Sequence, residues 1–282
     1  MATLIFSGFL ALGLGSRSAR SFSPDAPIAE SAVVSEQSAI VPGRPFLVAL
    51  RLKLPETWHT YWSNPGDSGV PASIKWILPY GFTAGPILWP TPERIVVEGP
   101  IVSYGHHGEV LLITEIRPPN LLPANTEIPI AADAEWLVCA EICVPEHAAL
   151  SIRLPVSTAD RPTDARWRDS FSRARTLLPK PMPGSATFHV SGETLVLSVD
   201  SKALAKGALS EAWFFPDTTG VIDHAALQLP SMRDGRLTIS IPRDPNGTPL
   251  NAALSGVLVL TTDGGKSAFN IHAVEAGTRR FP

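Results

Sequence analysis

The sequence predicts an all-β protein built of two antiparallel β-sandwiches, and three observations carry that expectation. Apolar residues recur in short alternating runs, as in Phe46, Val48, Leu50 and Leu52, which share one face of a strand. Turn-forming residues, 28 Pro and 21 Gly in 282 residues, interrupt the chain too often for long helices. A helical period occurs only in Asp164 to Leu178, so the crossover helices that a parallel α/β sheet needs are missing. The length suffices for two separate cores.

At the start, the apolar run Leu4 to Leu14 (LIFSGFLALGL) is followed by Ser16, Ser18, Ala19 and Ser21, the pattern of a secretory leader. It falls short of the roughly 20 apolar residues of a membrane span. Residues 1–23 are therefore read as a signal peptide and the remainder as an exported chain, soluble after cleavage, although no Lys or Arg precedes the run. Strands are expected at Phe46 to Leu52, between Pro45 and Pro55, and at Ser73 to Ile77, Ile95 to Glu98, Glu109 to Ile116 and Glu127 to Ala132. Trp58 to Trp62 (WHTYW) lead into Ser63 to Pro71 (SNPGDSGVP), whose residues have the chemistry of tight turns.

In Asp164 to Leu178 the steps between Trp167, Phe171 and Ala174 put them on one helix face. Pro179 to Gly184 (PKPMPG) cannot continue that helix and reads as a stiff connector. Strand patterning resumes at Ala186 to Val190, Thr194 to Val199, Ala212 to Phe215, Arg236 to Ile241, Gly256 to Thr262 and Ala268 to Ala273. The expected organisation is a leader (1–23), a first sandwich (30–157), a helix with a Pro-rich connector (158–184) and a second sandwich (185–275). The second sandwich has no cysteine and no dense ionisable cluster, which suits support or partner docking.

A net charge of -3 without a basic run excludes the electrostatic footprint of a nucleic-acid or anionic-membrane binder. The chemistry is expected instead at the only two cysteines, Cys139 and Cys143, in AEWLVCAEICVPEHAAL. Three readings compete. A permanent disulfide would close so short a ring that the chain-entropy gain is only about 2 kcal/mol. A reversible dithiol/disulfide suits a short ring better, because opening it changes a small segment without releasing the fold. A Cu(I) or zinc site would use Cys139, Cys143 and His147, which would line one face of a helix, with His106 and His107 as additions. Pro145 argues against that helix, and the ligand count is short. The redox reading is the stronger one, with Cys139 and Cys143 as site residues and no metal, cofactor or small-molecule substrate assigned. Glu135, Glu141 and Glu146, if close in space, would disfavour the thiolate.

Several motifs also resemble a known family. They are Trp58-His59-Thr60-Tyr61-Trp62 with Asn64 to Gly69, Trp89-Pro90, Ser103-Tyr104-Gly105 with Gly108-Glu109-Val110, and Leu137-Val138-Cys139 with Ile142-Cys143 and Pro145. In this order they are similar to the amino-terminal periplasmic region of DsbD-type thiol:disulfide interchange proteins, nearest the branch linked with suppression of copper sensitivity. The resemblance covers most of Ala32 to Pro155, and the helix, connector and second strand-rich region look like that branch's continuation. It implies an immunoglobulin-like fold and a protein-disulfide reductase type of activity, with electrons taken from a membrane-embedded or thioredoxin-like donor and passed to oxidised periplasmic proteins. Cys139 and Cys143 become the redox pair, with Cys143 the sulfur that forms mixed disulfides. The cysteines are closer together than in the best-known members, so partner geometry and the loop that caps the pair do not transfer. Neither a transmembrane electron-transfer domain nor a thioredoxin-like domain is seen in the 282 residues, so either separate proteins supply those functions or this chain does something narrower.

Overall fold

The structure is a computed structural model that describes residues 27–96, 99–157, 163–200, 208–247, 249–250 and 253–277. The leader expected at residues 1–23 lies outside the described residues, as do residues 158–162 of the expected connector. None of the described helices is long and apolar enough to cross a membrane.

The order of elements is β1 (Glu30–Ser35), β2 (Phe46–Lys53), β3 (His59–Gly66), β4 (Ser73–Ile77), β5 (Thr83–Leu88), β6 (Glu93–Val96), β7 (Val102–His107), β8 (Glu109–Arg117), β9 (Glu127–Cys139) and β10 (Cys143–Pro155). After these come α1 (Arg168–Leu177), β11 (Lys180–Pro181), β12 (Ser185–Ser191), β13 (Thr194–Asp200), β14 (Leu209–Pro216), β15 (Leu229–Arg233), β16 (Arg236–Pro242), β17 (Ala253–Thr262) and β18 (Gly265–Glu275). The described residues are all-β with one helix, as the alternation predicts.

Two sheets form the amino-terminal sandwich, one ordered β1-β2-β8-β5 and the other β10-β9-β3-β7-β6, with β4 also paired to β9. Period-two alternation decides what each face touches. In β9, Ile130, Ala132, Ala134, Trp136 and Val138 are buried and meet Val48, Leu50, Leu52 and Leu112 of the opposite sheet. Burying a side chain of this size contributes about 1.5–3 kcal/mol. The other face of β2 and β8, with Ala49, Leu111 and Ile113, is covered by Phe171 and Ala174 of α1. That is why the helix carries an apolar stripe: it closes the back of the first sheet.

The carboxy-terminal sheet runs β14-β17-β18-β12-β13-β16-β15, with β11 beside β18. It curls around Phe188, Leu197, Phe214, Ile239 and Leu258. Its two ends meet where the Gln228 amide pairs with Phe214, accepting from the backbone N–H and donating to the C=O, each at 2.8 Å. A side chain here does what a neighbouring strand would do.

Two expectations are corrected. The turn-like stretch after WHTYW begins as strand, since β3 continues to Gly66, with its β7 register broken between Tyr61 and Gly66. The connector Pro179 to Gly184 is docked: Lys180 and Pro181 pair with Phe269 and Asn270, and Asn270 Nδ2 donates to the Pro179 carbonyl. Proline forbids helix continuation but leaves carbonyls free to accept from a strand edge.

The arm formed by β3, β7 and β6 packs on the carboxy-terminal sheet. Trp62, Val102 and Tyr104 cluster with Trp213, Phe215 and Val257. The Tyr104 ring stands edge-on to Phe215 at 4.8 Å and to His224 at 5.0 Å. Asn64 Nδ2 donates to the Pro216 carbonyl at 2.7 Å, and the Asp67 carboxylate lies 2.7 Å from His224 Nδ1.

Candidate functional site

Strands β9 and β10 form a long hairpin whose last pair before the turn is Cys139 opposite Cys143. The two are joined by a disulfide that closes a loop of Ala140, Glu141 and Ile142, in which Ala140 N–H donates to the Ile142 carbonyl at 3.0 Å. Their surroundings differ. Cys139 is 2% exposed, whereas Cys143 begins an edge strand and is exposed.

Alternation places this pair on the face of β9 that does not enter the sandwich core, so another element has to cover Cys139. Tyr61 of β3 does so: its hydroxyl donates to Cys139 Sγ at 2.8 Å and lies 3.6 Å from Cys143 Sγ. Burial pushes the Tyr61 phenol up, against the opposing hydrogen bonds of Ser68 and Ser103, so it stays a donor. The ring is held from behind by the loop after β3. At Gly69, with φ +105°, an added Cβ would fall 2.1 Å from Tyr61 Cε1, so only glycine fits. Here the SNPGDSG stretch acts as a clamp on the tyrosine.

One residue before Thr60, His59 stands opposite Cys139 on one side and opposite His107 of β7 on the other. His59 is 4% exposed, and its Nε2 is buried without a hydrogen-bond partner. Burial first, and His107 second, hold its pKa below the ordinary histidine value. His106 points to the opposite face, is also buried, and is pushed down to about 3 by desolvation and then by His107.

The structure does not bring His147 to the cysteines. On a strand, four residues beyond Cys143 is about 13 Å away, and His147 Nε2 pairs instead with the Asp133 carboxylate. The helical face that the metal reading needs is replaced by a hairpin. No group of three or more His, Cys, Asp or Glu able to hold a metal ion occurs among the described residues. Of the three glutamates near the pair in sequence, Glu146 is occupied elsewhere, accepting from Trp136 Nε1 at 2.7 Å and from the Ala29 N–H at 3.2 Å. Glu141 is exposed at the loop tip, and Glu135 lies opposite His147 in the ladder.

The sequence motif WHTYW contains both His59 and Tyr61, but its spacing alone assigns neither of them a role. Their two-residue separation puts them on one strand face, and only the pairing of β3 with β9 shows what that face meets.

The sequence profile of the family described as "Thiol:disulfide interchange protein DsbD, N-terminal" matches residues 29–155. No curated protein sequence matches the chain. Among solved structures, the N-terminal periplasmic domain of ScsB from Proteus mirabilis has a TM-score of 0.61 at 19% identity, covering 90% of this chain and 96% of that one. That similarity extends over both halves and shows a shared fold. The E. coli chaperone DraB covers 86% of this chain and 97% of its own at 12% identity, but its TM-score of 0.19 carries no argument.

Proposed function

We propose, from the premise that residues 29–155 belong to the DsbD amino-terminal family, that the chain is a periplasmic thiol:disulfide exchange protein working through Cys139 and Cys143. The observation that carries this reading is the unequal exposure of the two sulfurs at the tip of one hairpin. In the reduced form the exposed Cys143 thiolate attacks a disulfide of an oxidised periplasmic protein and releases one partner thiolate. Cys139 then attacks Cys143 Sγ, which frees the second partner sulfur and restores the intramolecular disulfide. A membrane-embedded or thioredoxin-like dithiol reduces that disulfide again and is itself oxidised.

The Tyr61 hydroxyl supports both stages. A donor 2.8 Å from Cys139 Sγ stabilises the sulfur most when it is a thiolate, whether attacking or leaving. Opening the ring frees only the loop, because ladder pairs from Val144–Val138 to Pro155–Glu127 continue below it. The two-domain likeness to ScsB supports assigning the chain to the copper-sensitivity-suppressor branch. In this reading residues 30–157 form the redox unit, 158–184 the helix and connector, and 185–275 a docking or supporting unit.

The test is turnover of the purified protein with a reduced thioredoxin-like donor and an oxidised protein substrate. Cys143→Ser is expected to abolish turnover while leaving the far-ultraviolet circular dichroism unchanged. A Cys139–Cys143 disulfide that resists such donors in the folded protein would refute the reading.

A further inference from the structure

Resting on the exchange reading above, the geometry points to a proton-transfer role for His59: it accepts the Cys139 thiol proton as Cys139 resolves the mixed disulfide, and passes it through His107 to solvent. The basis is a row of four residues on adjacent strands. Cys143 pairs with Cys139, Cys139 with His59, and His59 with His107, in one unbroken line across β10, β9, β3 and β7. Directly opposed residues point to the same face, with Cβ atoms about 4.5–5.5 Å apart. The four side chains therefore share the outer face of the sheet.

Exposure falls and then rises along this row. Cys139 and His59 are 2% and 4% exposed, while the His107 side chain is 44% exposed and its Nδ1 lies 3.1 Å from Glu93 Oε2. The His59 and His107 ring centroids are 5.7 Å apart, a gap that direct contact or one water spans. His59 Nε2 is buried and makes no hydrogen bond in the disulfide form, which leaves it free to meet the Cys139 thiol once the ring opens.

A buried Cys139 needs such an acceptor. As a thiol it is a poor nucleophile, and the chain around it offers little else to take the proton. Tyr61 is held in its protonated form by burial, so it does not serve as the base. Along the hairpin, Glu146 and Asp133 are turned to other partners, Glu135 stands opposite His147, and Glu141 is exposed at the loop tip. The groups facing His59 are thus Cys139 from β9, His107 from β7 and the neighbouring Tyr61 ring, edge-on at 5.3 Å, with Glu93 behind His107. Burial lowers the imidazole's pKa, so a proton taken from Cys139 is held only weakly and moves on.

The step balances within the named groups. The Cys139 S–H bond breaks and an N–H bond forms on His59. The freed sulfur lone pair forms the Cys139–Cys143 bond as the Cys143–partner bond breaks, and the departing partner thiolate takes a proton from solvent. The partner's disulfide is the only oxidant.

The experiment uses the reduced full chain with oxidised glutathione as the probe, quenched with acid and followed by mass spectrometry. His59→Phe is expected to form the Cys143–glutathione adduct at the wild-type rate but to resolve it at least about tenfold more slowly at pH 7, the lower end of what a positioned base contributes. The deficit should shrink towards about pH 9, where a thiol ionises unaided. Equal resolution rates at pH 7 would overturn the inference while leaving the exchange reading intact. A wild-type chain that forms neither adduct nor disulfide would overturn both. Should His59→Phe fail to fold, imidazole nitrogen NMR of the wild type decides: a His59 titration midpoint that differs between the dithiol and disulfide forms is expected, and an identical midpoint overturns the proposal.

Discussion

Where β3, β7 and β9 meet, the strands bury His59, Thr60, Tyr61, His106 and Cys139; the carboxy-terminal sheet, built with the same backbone geometry, buries Phe188, Leu195, Leu197, Leu237, Ile239 and Leu258. The second set needs no explanation beyond the transfer of apolar surface from water. The first works against stability, since an unpartnered buried polar atom costs about 1–3 kcal/mol, and His59 Nε2 and His106 Nε2 are both in that state. Such costs concentrate where a fold is used for something other than standing up. The contrast sets a polar seam beside the cysteine pair against an apolar core, although Trp213 Nε1 and His224 Nε2 are also buried without a partner where the shared cluster around Tyr104 and Phe215 joins the two.

The largest test of this contrast is in the carboxy-terminal sheet. Phe188→Ala is expected to lower unfolding free energy by about 3–5 kcal/mol in urea titrations, yet to leave the equilibrium of the Cys139–Cys143 pair with glutathione unchanged in the folded fraction. A shifted equilibrium would mean that the two regions are coupled through their interface.

Acid should act on the polar region instead. His106 titrates at about 3 in the folded chain, against about 6.5 unfolded, so the unfolded chain binds the extra proton between those values. Stability is then complete above about pH 6.5 and is lost as pH falls towards 3, amounting to about 2–3 kcal/mol at pH 4.5. His106→Leu is expected to remove that part of the loss between pH 7 and 4.5, and an unaltered acid limb would show that the histidine is not the sensor.

The smallest effect is local. Tyr61→Phe removes the donor to Cys139 Sγ and should make the pair more reducing by about 10–20 mV, equivalent to about 0.5–1 kcal/mol. Equilibration with glutathione buffers reads this directly, and no shift would mean that the hydroxyl does not favour the thiolate.

Much of the frame is legible in the sequence. Strands with clean alternation, such as Phe46–Lys53, Glu109–Arg117 and Thr194–Asp200, fall where the pattern puts them. The helix begins later than its apolar period, at Arg168, because Asp164 to Trp167 form a turn in which the Asp164 carboxylate accepts from the Arg166 backbone. β10 carries a weak signal, since its inward positions include Ala148 and the modest Val144, and Pro145 suggests a break. The cysteine pair stands out in the sequence as the candidate site, but the residues packed around it do not. Tyr61 and Cys139 are 78 residues apart, and His59 reaches both Cys139 and His107 only through ladder pairing. Local spacing cannot report a register between distant strands. The same limit explains His147: spacing that would converge on a helix diverges on a strand.

One detail of β10 bears on the proposed exchange. The strand lies at the end of its sheet, with Pro145 two residues past the exposed sulfur. An open edge invites a visiting chain to zip on as an additional strand, and such main-chain docking would outlast the covalent step. Pro145 has no amide hydrogen to offer at that point, so the visitor cannot continue the ladder alongside Cys143. In the proposed exchange the hold on a substrate would then rest on the sulfur bond and brief side-chain contact, which favours many quick encounters over one lasting embrace.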